Sequence, residues 1–419
     1  MGSGKKRVLS LFTGAGGLDL GFHESGFEII LASDHWKYSE LTFKENFPNV
    51  PFLCEDVQKL SSKKILKATN NIKPEVIIGG PPCQGFSQVG DKNSSDPRNL
   101  LFEHYVRLVD ELKPVCFIFE NVKGIKSMFS GRYLERVINS FANCGYNIYY
   151  KTLNAKNYGV PQSRERVIIF GTRLENNYIF PIKSLKKNRR LKSFKNCGDA
   201  LRDIESIKNI TSHIKLNHGE KVLARYKLVK PGCNLPSPDK LPASIRRASF
   251  GNTYYRLDPE THAPTMVPGN NAFPIHPWLD RSLTPREAAR LQSFPDKFVF
   301  LGPRKEQCKL VGNAVPPLMA YALAESIKMH LNNQIKGSEI YFEKNTTHKI
   351  SSKSEKEKEY TCIDLFSGAG GFVRGFKNSQ YKVLLSADFD LDCEKTHNLN
   401  YPDIPFIRGD LSSDAVYKK

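Results

Sequence analysis

The sequence has 419 residues, 40% of them hydrophobic and 25% charged, which is the balance of a soluble globular protein. No apolar stretch approaches the roughly 20 residues that cross a bilayer, and the first residues lead into a short strand rather than a signal-peptide core, so we expect an intracellular protein. The formal net charge of +19 favours a polyanionic partner, and 19 Lys and Arg against 9 Asp and Glu fall between residues 174 and 282.

The nine cysteines argue against two classes of site. None forms a Cys-x-x-Cys pair, and none has a histidine at zinc-ligand spacing. We therefore expect reduced thiols, with neither a disulfide framework nor a metal site.

The first part of the chain alternates short apolar strands with helical patterns. Strands are predicted over residues 8–12, 28–33, 51–54, 75–78, 115–119 and 167–170, and helices over residues 101–112 and 132–141. Alternation of this kind predicts an α/β fold with a largely parallel sheet covered on both faces. Ligands of such sheets bind where the carboxyl ends of the strands open.

The pattern changes after residue 173. Residues 178–249 are basic, punctuated by Pro and Gly and weakly periodic, which indicates a smaller, loop-rich domain. A helix is predicted over residues 284–292, where Thr284 is the N-cap and Glu287 completes a capping box, and a second over residues 317–331. Residues 328–360 have the composition of a disordered linker.

The end of the chain repeats its beginning. Residues 363–372 (IDLFSGAGGF) parallel residues 9–18 (LSLFTGAGGL), and residues 386–388 (SAD) parallel residues 32–34 (ASD). The repeat stops just before a counterpart of the later Pro-Pro-Cys segment would be due.

A glycine-rich turn follows the first strand at residues 14–17 (GAGG). Such a turn lets the backbone approach a ligand at a helix N-terminus, although glycines alone also fit an ordinary tight turn. Asp34 ends the second strand, where a ribose hydroxyl pair can be held, and Asp56 follows the third. Together they predict a site for a nucleoside-bearing cofactor, without identifying which one.

Cys83 follows an apolar strand, two glycines and two prolines. This setting places a thiol on a rigid turn at the carboxyl end of the strand, facing the same crevice. A thiolate is a strong nucleophile once nearby positive charge or a helix N-terminus lowers its pKa. We therefore favour a reactive Cys83 over a buried structural cysteine.

Three further side chains are candidates at this edge of the sheet. Glu120 ends the strand over residues 115–119, so its carboxylate is expected at the crevice mouth as an acid or hydrogen-bond partner. Arg164 and Arg166 alternate ahead of the next strand and are expected on one side of it, either as a clamp or as a solvated edge.

Five motifs occur in order: residues 11–17 (LFTGAGG), 80–84 (GPPCQ), 120–122 (ENV), 162–166 (QSRER) and 307–317 (QCKLVGNAVPP). In order and spacing the series resembles the cytosine-5 DNA methyltransferases of bacterial restriction–modification systems. The resemblance covers about residues 5–330. It implies a Rossmann-like S-adenosylmethionine-dependent methyltransferase sheet with a smaller, loop-rich target-recognition domain.

The resemblance also implies the cofactor and the residues that hold it. The cofactor is S-adenosylmethionine and the product S-adenosylhomocysteine. The implied cofactor-binding residues are Phe12, Gly14, Gly16, Gly17, Asp34, His35, Trp36, Asp56, Val57, Pro81, Leu101, Asn313, Ala314 and Val315. The family often has Glu followed by an aromatic residue at the ribose position. Because this chain has Asp34-His35-Trp36 there, whether His35 or Trp36 packs on the adenine stays open.

The chemistry implied by the family assigns four catalytic residues. The Cys83 thiolate adds to C6 of cytosine, Glu120 protonates or hydrogen-bonds N3, and Arg164 stabilises charge at O2, with Arg166 beside it. C5 then takes the methyl group, a base removes its proton, and Cys83 is expelled. The target base must leave the stacked duplex for this to happen.

Contacts to double-stranded DNA are expected in two places. Residues 84–99, with Gln84 and Ser87, resemble a mobile loop that closes over the flipped base. Arg246 and Arg247 in the basic domain are candidates for DNA contact, and a solvated face fits them equally well.

Two alternatives remain open: an RNA cytosine-5 methyltransferase that resembles the tRNA-modifying branch, and a catalytically silent DNA-binding regulator. An amino-methyltransferase is disfavoured because such enzymes carry Asp or Asn before Pro-Pro and Tyr or Phe after it. The repeat has three interpretations: a second methyltransferase domain cut short, a nonfunctional remnant, or a regulatory cofactor-binding fragment. We favour the first two together, since residues 360–419 contain neither Pro-Pro-Cys nor Glu-Asn-Val.

The expected organisation follows from these assignments. Residues 5–175 form the catalytic and cofactor-binding domain, 176–255 the target-recognition domain, 256–330 the return to the catalytic domain, 331–359 a disordered linker, and 360–419 a partial second copy. We expect a bacterial, cytoplasmic enzyme that is nucleoid-associated while acting and monomeric on DNA. A cognate restriction endonuclease is expected to be encoded nearby without forming a stable complex with it.

Overall fold

The computed structural model describes residues 4–82, 101–181, 191–247, 251–333, 360–377 and 381–410. The chain divides into two compact units, Met1–Ser352 and Lys353–Lys419, and each is described by itself. Within the described ranges, no helix is long and apolar enough to cross a membrane.

The first unit is built on a seven-stranded sheet. Its strands are β1 (Arg7–Leu11), β2 (Glu28–Asp34), β3 (Phe52–Cys54), β4 (Val76–Gly79), β5 (Cys116–Val122), β6 (Asn147–Asn154) and β7 (Glu165–Thr172). Their order is β3-β2-β1-β4-β5-β7-β6, and β7 runs antiparallel to both of its neighbours. The remaining neighbours pair in parallel, so the predicted α/β fold is confirmed. The strand order reverses between β1 and β4, where a ligand crevice is expected.

Ten α-helices belong to the described part of this unit. They are α1 (Gly17–Glu24), α2 (Lys37–Asn46), α3 (Ser62–Ala68), α4 (Leu101–Leu112), α5 (Arg132–Asn143), α6 (Cys197–Leu201), α7 (Glu220–Lys227), α8 (Pro285–Leu291), α9 (Arg304–Asn313) and α10 (Pro317–Leu331). The capping box predicted at Thr284 and Glu287 is present at the start of α8.

Both faces of the sheet are covered, and this is why its central strands are apolar throughout. In β4, Val76 and Ile78 join one core cluster, which includes residues of α1, α8 and α10, whereas Ile77 joins the other, with residues of α4 and α5. Side chains alternate across a strand, so a strand buried on both faces loses the polar alternation of a half-exposed one.

Strand β6 was missing from the sequence-based prediction. It lies at the edge of the sheet next to β7, and its sequence, NIYYKTLN, mixes apolar and polar residues. Only part of such an edge strand is buried, so it lacks the continuous apolar run by which the central strands were found.

The segment predicted as a small domain contributes to two cores. Tyr178, Phe180 and Leu201 belong to the main core, whereas a separate cluster gathers residues that lie farther along the chain. That cluster consists of Tyr226, Val229, Leu235, Leu241, Tyr254 and Ile275. The small apolar cluster therefore extends past residue 255, the end that was predicted for the target-recognition domain.

The second unit is a three-stranded parallel sheet with two helices. Its elements are β8 (Tyr360–Leu365), α11 (Gly371–Lys377), β9 (Tyr381–Asp388), α12 (Leu391–Asn400) and β10 (Phe406–Arg408). The strand order β10-β9-β8 matches the order β3-β2-β1 of the first unit. The repeat seen in the sequence is therefore also a repeat of structure.

Helices α1 and α10 pack unusually closely. A side-chain carbon added at Gly21 would lie 2.4 Å from Cβ of Ala320, and one added at Gly17 would lie 2.2 Å from the carbonyl oxygen of Val315. No side chain fits in either space. The two ends of the first unit, far apart in sequence, meet at these glycines.

We expect Gly21→Ala to lower the free energy of unfolding of the first unit by about 1–3 kcal/mol, because displacing α10 outweighs the better helix propensity of alanine. Gly375→Ala, at the equivalent position of α11, is the matched control: its added carbon meets no atom within 4 Å, so it should not destabilise the second unit. Hydrogen exchange followed separately in peptides of α1 and α11 measures both effects. Equal destabilisation by the two substitutions would contradict the steric explanation.

Candidate active site

The loop between β1 and α1 holds a strained backbone at the crevice. Phe12, Gly14 and Gly16 have φ angles of 53°, 56° and 82°. Glycine adopts this left-handed region readily, but a bulky residue such as Phe12 does so at a cost, and such strain concentrates at functional sites. A carbon added at Gly14 would meet no atom within 4 Å, so open space adjoins the loop.

Asp34 fixes the shape of this loop. Its Oδ2 accepts a hydrogen bond from the backbone N–H of Gly14 at 2.9 Å, and its Oδ1 accepts one from the N–H of Trp36 at 3.0 Å. The sequence suggested a ribose ligand at this position. Each carboxylate oxygen accepts from a backbone donor, so Asp34 positions the glycine loop, and its contact with a ribose stays a prediction.

The two residues after Asp34 differ in their surroundings. The His35 side chain is largely exposed, and its Nδ1 lies 3.3 Å from Oδ1 of Asp34, a hydrogen bond that raises the pKa of the imidazole. The Trp36 ring is partly buried, with the ammonium of Lys309 4.0 Å from its centroid. One face of the indole is thus covered by a cation from α9.

Asp56 and Val57 follow β3 at the same edge of the sheet. The N–H of Glu55 donates to the carbonyl of Asp34 at 3.0 Å, which joins the ends of β2 and β3. Val57 is buried and Asp56 exposed. From α4, which begins at Leu101, the Arg107 guanidinium donates to the Val57 carbonyl at 3.1 Å, so this helix packs against the same turn.

The C-terminal motif approaches the start of α1 through Val315. The carbonyl of Val315 lies against Gly17, where α1 begins. Ala314 and Val315 are buried, whereas Asn313 is exposed at the end of α9. The structure therefore brings Val315 to the first turn of α1, and the closure of the cofactor pocket by residues 313–315 stays a prediction.

Glu120 lies beside the segment that leads to the predicted nucleophile. A carbon added at Gly80 would be 2.6 Å from Oε2 of Glu120, and the Asn121 amide donates to the carbonyl of buried Pro81 at 3.1 Å. These contacts hold the Glu-Asn-Val motif against the Gly-Pro-Pro segment. Cys83 itself, with Gln84 and Ser87, lies outside the described residues.

The two arginines of the Gln-Ser-Arg-Glu-Arg motif have different partners. Nε of Arg166 lies 2.8 Å from Oε1 of Glu120, in an ion pair that is nearly inaccessible to solvent. Arg164 is fully buried and donates to the carbonyls of Met266 at 3.2 Å and Gly312 at 3.0 Å. Arg166 is therefore the arginine that pairs with Glu120, and the contact of Arg164 with O2 that the sequence suggested stays a prediction.

Burial lowers the pKa of both guanidinium groups. For Arg164 the shift is large, and the neighbouring charge of Arg166 adds to it. For Arg166 the attraction of Glu120 opposes the shift. Two buried guanidinium groups therefore lie near one carboxylate, where the exclusion of water strengthens the interactions between their charges.

Asp19 was not among the residues picked from the sequence. It is fully buried on α1 and its Oδ2 accepts a hydrogen bond from the Thr13 hydroxyl at 2.5 Å. Burial raises its pKa to about 6, against the opposing effect of that hydrogen bond. A signal was available in the sequence, since an acid in an otherwise apolar helix turn directly after a glycine loop is expected to face the loop.

Arg246 and Arg247 are exposed, and the guanidinium of Arg247 lies 5.7 Å from the centroid of the Tyr254 ring. Both remain accessible to a polyanion. Their contact with DNA stays a prediction.

Comparison with known proteins gives a consistent result. The family model for C-5 cytosine-specific DNA methylase matches residues 6–329 and again residues 360–417. Type II methyltransferase M1.HphI of Haemophilus parahaemolyticus is 36% identical over 333 residues, which cover 77% of this chain and 87% of that protein. Type II methyltransferase M.DdeI of Desulfomicrobium norvegicum is 31% identical over 372 residues, covering 78% and 89%.

Solved structures share the fold. A candidate DNA modification methyltransferase encoded within an E. coli prophage superposes with a TM-score of 0.61 at 29% identity, covering 78% of this chain and all of that one. Spodoptera frugiperda DNMT2 superposes with a TM-score of 0.56 at 19% identity, covering 77% and 100%, and supports the fold alone.

We expect the buried carboxyl of Asp19 to make stability depend on pH. Because its pKa is higher in the folded than in the unfolded state, its stabilising contribution is complete below about pH 4 and is lost as the pH rises through about 6, a loss of about 3 kcal/mol. Urea denaturation at pH 4 and pH 7 should show this loss in the original protein but not in Asp19→Asn. A difference between the two proteins that is the same at both pH values would contradict it.

Proposed function

The chain belongs to the C-5 cytosine-specific DNA methylase family and is a DNA cytosine-5 methyltransferase, and from this premise we propose how its residues divide the reaction. The observation that carries the proposal is the joining of three motifs at one edge of the sheet. Glu120 lies against Gly80, three residues before Cys83, and pairs with Arg166.

S-adenosylmethionine is the cofactor of this family, and the residues around the glycine loop fit it. Open space adjoins Gly14 at the start of α1, where backbone N–H groups and the helix dipole favour a carboxylate. We infer that Phe12, Gly14 and Gly16 surround the methionine part of the cofactor. When bound, the cofactor supplies an electrophilic methyl group.

The remaining cofactor contacts follow the carboxyl ends of the strands. We infer that Asp34, at the end of β2, holds the ribose, because each carboxylate oxygen that accepts from a backbone N–H keeps a further lone pair, and that His35 or Trp36 packs on the adenine. Asp56 and Val57 would hold the adenine, while Leu101 and residues 313–315 would close the far side. Pro81, buried and held by Asn121, would border the reacting methyl group.

Cys83 is the proposed nucleophile. Its thiolate adds to C6 of the target cytosine, which moves electron density to C5 and makes that carbon reactive toward the methyl group. A base then removes the proton from C5, and the bond between Cys83 and C6 breaks. The fixed position of Gly80 and Pro81 supports this role, since a nucleophile must be held within attacking distance.

Glu120 and Arg166 are proposed to act as a unit on the pyrimidine ring. Glu120 hydrogen-bonds or protonates N3 as the thiolate adds, and Arg166 holds the carboxylate and stabilises charge at O2. Arg164 is proposed as a positioning residue, since it ties the motif to the carbonyls of Met266 and Gly312.

Double-stranded DNA is the proposed substrate, with the target cytosine flipped out of the stack. The basic segment between residues 174 and 282 would hold phosphates, with Arg246 and Arg247 at its surface. The related type II methyltransferases favour this substrate over RNA. Against a silent regulator, the chain retains Cys83, Glu120 and both arginines.

We further propose that the enzyme protects DNA from a cognate restriction endonuclease, encoded nearby, without binding it stably. The names of the type II relatives support this role. The enzyme is proposed to act as a monomer in the bacterial cytoplasm, associated with the nucleoid.

We expect Cys83→Ser to form no covalent adduct with duplex DNA that carries 5-fluorocytosine, whereas the unaltered protein forms a stable one. Glu120→Gln should lower kcat by about 100-fold or more, since a positioned proton donor contributes that much. Cys144→Ser, a substitution at the end of α5, is the control and should leave both unchanged. Adduct formation on denaturing gels and bisulfite sequencing measure the outcomes, and an adduct with Cys83→Ser would overturn the assignment.

A chain that ends at residue 335 should methylate duplex DNA with unchanged kcat. The first unit contains the complete sheet and every site residue proposed above. Parallel assays on duplex DNA and on tRNA separate the proposed substrate from the RNA alternative. Loss of DNA methylation by this shortened chain, while it stays folded, would show that the second unit takes part in the activity.

A further inference from the structure

The second unit reproduces the first half of the catalytic sheet in detail. The N–H of Gly368 donates to Oδ2 of Asp388 at 2.9 Å, the same bond and distance as between Gly14 and Asp34. Phe366 has a φ angle of 58°, close to the 53° of Phe12. All these pairs are separated by the same offset in sequence, so each residue of the repeat has a defined counterpart in the first unit.

One edge of the repeated sheet has no paired strand among the described residues. In the first unit β1 pairs with β2 on one side and with β4 on the other. Among the described residues, its counterpart β8 pairs with β9 alone. The free edge is the one that β4 occupies in the first unit, and an open edge is a template for an added strand.

Apolar side chains stand exposed beside that edge. Ile363, Leu365 and Phe372 are 59%, 53% and 71% exposed. Their counterparts in the first unit, Leu9, Leu11 and Leu18, are only 0%, 1% and 7% exposed. The difference lies in what covers each position, because the residues themselves are equally apolar in both copies.

Two glycines of α11 indicate what kind of element would pack against this helix. Glycine disfavours a helix, yet α11 keeps Gly371 and Gly375, where an added carbon would meet no atom within 4 Å. Their counterparts Gly17 and Gly21 are required by the approach of Val315 and of α10. At both positions of α11 there is thus space for a helix equivalent to α10 and a loop equivalent to that of Val315. The described residues of the repeat include neither.

The charge of the repeat argues against DNA as the occupant. Residues 360–419 contain 7 Lys and Arg against 8 Asp and Glu, whereas the whole chain carries +19. Without a basic surplus, this surface has little to hold phosphates.

We propose that the second unit is the N-terminal part of a second methyltransferase-like domain, and that its open edge binds a polypeptide with the counterparts of β4 and α10. The bound strand is apolar on both faces, pairs in parallel with β8, and leads into a Gly-Gly-Pro-Pro-Cys turn. The bound helix presents small residues to Gly371 and Gly375, as Ala320 does to Gly21.

Two probes test this with the full chain. The first is a labelled peptide of residues 73–82, which contains β4, and the second is a polypeptide of residues 74–333 expressed in the same cells. The full chain should bind the peptide saturably and capture the polypeptide, whereas a chain ending at residue 335 should do neither. The shortened chain is a necessary control. A peptide that displaced β4 from the first unit would bind to both chains, whereas a peptide that bound to β8 would bind only to the full chain.

Paired substitutions locate the surface. Leu365→Lys places a charge where the added strand would bury it and should weaken binding by about 100-fold or more. Leu399→Lys changes a leucine that is 84% exposed and whose counterpart, Glu45, is exposed as well, so binding should not change. Gly375→Leu should block the polypeptide, since it fills the space reserved for the helix.

Several outcomes would overturn the proposal. They are failure of the full chain to bind either probe, equal binding by the shortened chain, and equal loss with Leu365→Lys and Leu399→Lys. If the full chain associates with itself and Leu365→Lys abolishes this association, the surface binds a second copy of the chain. The proposed binding partner would then be wrong. Methylation of duplex DNA, assayed in parallel, reports on the first unit alone, so failure here is distinct from failure of the proposed function.

Discussion

The approach of the C-terminal motif to helix α1 is the constraint on which the first unit depends. The carbonyl of Val315 and the side chain of Ala320 lie so close to Gly17 and Gly21 that only glycine fits. This contact covers one face of the sheet and brings Val315 to the start of α1, directly after the glycine loop. The packing of the core therefore draws the two ends of a long segment to one place.

Close packing also fixes the side chains around Glu120, at the edge of the sheet where the strands end. The Glu120 carboxylate pairs with Arg166 and lies close to the backbone of Gly80. These two neighbours limit the positions that the carboxylate can take. Under the proposed function, the buried arginines lie where negative charge would develop on the pyrimidine ring. Removal of either partner would leave the other charge buried and unpaired, a state that is strongly disfavoured.

Much of this arrangement could be predicted from the sequence, because apolar runs and motif order reflect a sheet buried on both faces. The central strands and the capping box of α8 were predicted correctly. Edge strand β6 was not, since partial burial leaves no continuous apolar run. The partners of Asp34, Arg164 and Arg166 also could not be predicted, because which carbonyl or amide faces a side chain depends on tertiary packing. Cys83 lies outside the described residues, so its proposed role is argued from the neighbouring residues Gly80, Pro81 and Glu120.

The distance in sequence between Gly17 and Val315 has a consequence for biosynthesis. At 5–20 residues per second, a ribosome needs roughly 15–60 s to make the about 300 residues between them. For that time the face of α1 at Gly17 and Gly21 lacks its cover, as the equivalent face of α11 does among the described residues of the second unit. The newborn enzyme therefore passes through a stage in which this helix face resembles that of its own repeat, and during this stage the face is a natural binding surface for chaperones.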